Sequence, residues 1–143
     1  MFASSTSQAG LFGPSADTKK WAAVLKKLAP TETKLLARYS AVTGKKYTSD
    51  AVTAQALVKL IPDVNSYIEQ LDGITPKDSK FRAGINLYVQ AWNDYAQGME
   101  LSLGAIQSQD YSKVAAANEQ LAQGRSLEKQ ASIVLGPILK FLK

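Results

Sequence analysis

The stretch "FRAGINLYVQAWNDYAQGMELSLGAIQ", residues 81–107, carries the pattern that decides the fold. Phe81, Ile85, Tyr88, Trp92, Tyr95, Met99, Ser102 and Ile106 follow one another at alternating intervals of four and three. That is the period of a helix burying one stripe along its whole length. Gly84, Ala91, Gly98 and Ala105 repeat every seven residues, each just before a member of that stripe. Glycine inside a helix costs roughly 1 kcal/mol against alanine. Two glycines in phase therefore point to a close helix approach, or to room made for large neighbours.

A second helix follows in the same register. Ala117, Gly124 and Ala131 repeat at seven, beside Val114, Leu121, Leu135 and Leu142. The start signal "TPKD" places Thr75 as N-cap, Pro76 at N1 and Asp78 at N3. The first arm then reaches Gln107, "SQD" turns the chain with Asp110 as the next cap, and the second arm runs from Tyr111 to Leu142. Two spans of equal length across a short polar turn predict a long antiparallel hairpin, each arm ~48 Å at helical rise. Gly136-Pro137 should kink the second arm near its end. The rings of residues 88–99 read as a core stripe packed into Ala/Gly hollows. A lining for an apolar ligand is the alternative.

Upstream, punctuation divides the chain further. Ser15 caps a short helix to about Leu28, ended by Pro30. A second short helix spans about Glu32 to Thr43, with Gly44 after it. Ser49 or Asp50 opens a third segment to Asp72, with Pro62 kinking or splitting it. The expected fold is all-α: an up-down antiparallel bundle of four layers, its first arm split into two short helices and its last two arms a long hairpin. Residues 1–14 read as a flexible tail and 15–143 as one domain.

Composition narrows the chemistry. Of 143 residues, 45% are apolar and 20% charged, as in a globular chain. No apolar run approaches the ~20 residues that span a bilayer. "MFASSTSQAGLFGPSAD" lacks a basic n-region and an apolar h-region, so it does not read as a signal peptide. With no cysteine, thiolate chemistry and disulfides are excluded; with no histidine, so are catalytic triads and imidazole-ligated metals. No Walker, dinucleotide or nucleophile-elbow motif is present. The expectation is a non-enzyme with no cofactor and no metal.

The charge is uneven. Residues 1–60 hold nine Lys/Arg against three Asp/Glu, whereas residues 61–143 hold eight against nine. "DTKKWAAVLKKL" carries Lys19, Lys20, Lys26 and Lys27 around Trp21 as a basic amphipathic helix. Such a face suits an acidic protein or an anionic membrane surface. No reader motif accompanies it, which argues against nucleic acid. The closing "SIVLGPILKFLK" offers Ile138, Phe141 and Leu142 as a second contact surface, or docks them on the bundle. Glu128 falls on the core stripe between Leu121 and Leu135, and a hairpin folded about Gln109 brings it level with Tyr88 or Trp92. Those three form a candidate buried polar group, and the carboxylate reads more simply as a structural hydrogen-bond acceptor than as a catalytic acid.

The run "YVQAWNDYAQGMELSLGAIQSQDYSKVAAANEQLAQGRSLEKQA", within residues 81–131, resembles the C-terminal hairpin of small exported or lipid-anchored bacterial helical proteins. Shared are an aromatic helix, a turn ending in Asp and an Ala/Asn/Glu-rich helix. The lipobox cysteine of such lipoproteins is absent. The resemblance implies an extracytoplasmic, non-enzymatic bundle and brings no catalytic residues with it. The function expected from these features is a structural or accessory subunit binding other macromolecules, at a cell envelope or in a larger assembly. A carrier of a small apolar ligand in the bundle core is the alternative.

Overall fold

A computed structural model describes residues 13–140. Among these residues four helices form an all-α bundle: α1 Ala16–Ser40, α2 Asp50–Asp72, α3 Ser79–Ser108 and α4 Lys113–Leu139, with a single 3-10 turn at Gly44–Lys46. The C-terminal hairpin is its spine. α3 and α4 pack along their full lengths, α2 lies against α3, and α1 lies against α2. The circle closes least well between α1 and α4. Phe141 and Leu142 lie outside the described residues.

The hairpin packs large against small, in both directions. Tyr95 of α3 covers Gly124 of α4, so closely that a Cβ there would fall 2.6 Å from the ring. Leu121 covers Gly98 and Leu135 covers Gly84 in the same manner. Phe81, Ile85, Trp92, Tyr95 and Met99 are all buried, as the alternating spacing requires. They meet Leu57, Leu60, Val64, Tyr67 and Leu71 of α2 in one continuous core.

Three boundaries differ from the sequence expectation. The first arm is not split: α1 runs unbroken through Pro30. Proline removes one amide, the partner of the Lys26 carbonyl, and both residues face solvent, where water replaces it. Leu25 and Leu35, buried on either side, hold the helix in line across the gap. α2 is likewise continuous through Pro62, whose missing amide belongs opposite exposed Val58. α4 continues through Pro137.

The start of α3 is the second difference. Asp78, not Thr75, is the N-cap, its carboxylate accepting from the Phe81 amide at 2.8 Å. Residues 75–77 are held instead as a loop, because Asp17 of α1 accepts from the Lys77 amide at 2.8 Å and Arg82 donates to the Pro76 carbonyl. Third, the α3–α4 turn is longer than "SQD". Gln109 caps α3 in the left-handed region at φ 55°, and Asp110 accepts from the Ser112 amide before α4 begins. Gly44 does turn left-handed, at φ 58°, but four residues after α1 ends.

Candidate functional site

Continuity of α1 gives its charges a common geometry. Lys19, Lys20, Lys26, Lys27 and Lys34 all face solvent on one arc of a single helix. The two acids of α1 point elsewhere: Asp17 is engaged with the Lys77 loop, and Glu32 turns toward α2 and the α1–α4 seam. Among the described residues the one ion pair is Arg38 with Asp63 of α2, at 2.6 Å. The lysine face is therefore cationic without internal neutralisation. Trp21 is half-buried, with the Lys20 Nζ 4.6 Å from its ring centroid. Val24 and Leu28 pack against the core.

The α1–α4 seam holds the polar centre of the molecule. Glu128 of α4 accepts from the Tyr95 hydroxyl at 2.7 Å. The expected partners, Tyr88 and Trp92, give way to Tyr95: its ring lies over Gly124, and its hydroxyl reaches one turn further along α4 to Glu128. Facing Glu128 across the seam is Glu32 of α1, which accepts from the Tyr67 hydroxyl at 3.3 Å. Trp92 lies between the two tyrosines, edge-on to both, with ring centroids 4.9 Å from Tyr67 and 5.1 Å from Tyr95. Its indole N–H is fully buried and turned toward Glu32, yet closes no hydrogen bond of regular geometry.

A second carboxylate close by in a partly buried seam disfavours the charge of Glu32. Burial, and secondly the Glu128 carboxylate, push Glu32 up to about 7, against the opposing pull of Trp92 and Tyr67. Burial also raises the Tyr95 hydroxyl, and its bond to Glu128 raises it further. Among the described residues neither carboxylate is in a salt bridge: Arg125, three residues from Glu128, faces solvent, although its charge reaches the Tyr95 hydroxyl. Glu32 was not legible as a partner because a helix broken at Pro30 hides its register. On a continuous α1 it lies seven residues after Leu25 and seven before Tyr39, on the buried face.

Along the bundle a cavity lies to either side of this pair, and neither glutamate lines either one. One, of about 270 Å³, is lined chiefly by apolar groups of Leu25, Ala29, Tyr67, Tyr88, Ala131 and Leu135, with Lys26 at its rim. Tyr88 is thus a half-buried wall rather than a partner of Glu128. The last turns of α4 close this cavity beside Lys26, with Ile138 packed on the core. The other, of about 560 Å³, lies toward the α3–α4 turn among Tyr39, Leu57, Ser102, Leu121 and Arg125. At its edge Tyr47 and Tyr111 both donate to Asp50, at 2.7 and 2.5 Å, which holds that carboxyl below the usual range.

Chemically, the seam can hold a proton between two carboxyl groups or accept a cation. Among the described residues no three acidic side chains converge as a hard metal ion prefers. No helix there is long and apolar enough to cross a membrane. No family model, curated protein or solved structure matches the chain.

Proposed function

We propose that the protein is a non-catalytic helical bundle that binds an acidic protein partner through the outer face of α1. The observation that carries this reading is the arc of five exposed lysines, with both acids of the same helix turned away from it. A protein partner is preferred over a membrane for a physical reason. A helix lying in a lipid interface needs its apolar stripe free. Here Trp21, Val24 and Leu28 are already packed on the bundle. What remains outward is charge, which gives steering and salt-sensitive affinity.

The test uses poly-glutamate, anionic vesicles and duplex DNA as three surfaces, at low and near-physiological salt. The chain should be retained on poly-glutamate at low salt and released as salt rises. Alanine at Lys19, Lys20, Lys26 and Lys27 together should abolish retention while leaving the helical circular dichroism unchanged. Retention that survives those four changes refutes this face as the contact. Binding to vesicles or DNA alone refutes the acidic-protein reading.

A second reading, a carrier of a small ligand, is favoured by one observation: the 270 Å³ cavity in the seam is mostly apolar and opens beside the least closed helix pair. A saturable rise in melting temperature with a small amphiphile is the expected outcome.

A further inference from the structure

We propose that the α1–α4 seam binds a small organic ammonium ion, with its apolar body in the 270 Å³ cavity and its charge between Glu32 and Glu128. The inference rests on the carrier reading and adds the charge of the ligand. Three observations lead to it. First, the carboxylates come from different helices and meet where the bundle closes least. Each accepts from one tyrosine hydroxyl and neither is in a salt bridge among the described residues, so acceptor capacity is left over. Second, the fully buried Trp92 N–H faces Glu32 without completing a hydrogen bond of regular geometry, so the seam keeps an unpartnered polar atom. Third, the apolar cavity comes within about one helical turn of this point, though neither glutamate lines it. Its lining residues Ala29 and Ala131 each lie three positions from the two glutamates, about 4.5 Å of helix rise. Tyr67 belongs to both, its ring on the cavity and its hydroxyl on Glu32.

Charge and surroundings select the class of ligand. An anionic amphiphile would set its head against two carboxylates in a half-buried seam. A neutral one would leave that acceptor capacity unused. An ammonium ion answers it with up to three N–H donors, among the aromatic rings of Tyr67, Trp92 and Tyr95 that favour a cation. The groups facing the seam are Glu32 from α1, Tyr67 from α2, Trp92 and Tyr95 from α3, and Glu128 with Arg125 nearby from α4. The two cations nearest the path, Lys26 and Arg125, are exposed and therefore screened, whereas the pair is half-buried and screened less. At about 270 Å³ the cavity falls just under the ~300–1,000 Å³ of drug-sized sites, so the body is a short chain or a single ring.

The test compares octylammonium, octanol and octanoate at pH 8. Trp21→Phe leaves Trp92 as the sole tryptophan, so its fluorescence reports the seam, and the melting temperature reports binding independently. Octylammonium should bind saturably and at least tenfold more tightly than octanol or octanoate. Glu32→Gln with Glu128→Gln should erase that preference, and Glu128→Gln alone should weaken it if the double variant does not fold. Equal binding of all three probes overturns the ammonium site and leaves the carrier reading standing. Binding of none overturns both. Octylammonium that binds the double variant as well as the parent places it elsewhere and overturns the site.

Discussion

Glu32 couples the seam to pH. Its carboxyl, pushed up to about 7 from an ordinary 4.5, holds its proton more tightly in the folded chain than in the unfolded one. A raised carboxyl stabilises the fold fully below its unfolded value, and that stabilisation is lost as pH rises through the folded value. The window is therefore from pH 4.5 to about 7. Because the group is partly reached by solvent, the loss is on the order of 1–2 kcal/mol rather than the full shift. Glu32→Gln cannot ionise, still offers Tyr67 an acceptor and gains N–H donors for Glu128. It should be more stable than the parent at pH 8 and nearly equal at pH 5, as read from urea midpoints at both pH values. A uniform loss at both would mean that the Glu32 charge is already compensated. Glu128 was legible from its place on the α4 stripe between Leu121 and Leu135. Its partner was not, since Pro30 reads locally as a stop and only the tertiary anchors Leu25 and Leu35 override it.

Between elements, the decisive contacts are those of α3 with α4, and three glycines rank them. An added Cβ at Gly124 would meet the Tyr95 ring at 2.6 Å and the Ala91 carbonyl at 2.9 Å. At Gly98 it would meet Leu121 at 2.7 Å and the Ala117 carbonyl at 3.1 Å. At Gly84 only side chains intrude, Leu135 at 2.6 Å and Val134 at 3.1 Å. Side chains can shift and backbone carbonyls cannot without parting the helices. Gly124→Ala should therefore cost most, about 2–3 kcal/mol, Gly98→Ala less and Gly84→Ala least. Gly104, with nothing within 4 Å, should gain up to about 1 kcal/mol on becoming alanine. Thermal or urea unfolding of the four variants checks the order; equal effects at Gly124 and Gly104 would contradict the interlocked seam. This much was readable in advance, because a seven-residue repeat of small side chains beside an alternating stripe has few other physical uses. The helix ends were not: Asp17 and Arg82 claim the 75–77 backbone from outside the local sequence.

Across the whole molecule, stability is spread unequally. Periodicity disclosed four helical arms and a dominant hairpin, yet it is silent on how well a bundle closes. The poor closure between α1 and α4 depends on two glutamates more than ninety positions apart and on cavities formed by all four helices. α1 is also the arm where five like charges sit on one face and repel one another. Weak packing, self-repulsion and a carboxylate pair together make α1 the arm that opens first. Hydrogen exchange, corrected for intrinsic rates, should show residues 16–40 opening at lower free energy than the α3–α4 hairpin. The gap should widen from pH 5.5 to pH 8, as Glu32 ionises opposite Glu128, and Glu32→Gln should remove that widening. Uniform protection across all four helices would mean instead that α1 unfolds only with the hairpin, and that its lysine face is presented on a rigid surface.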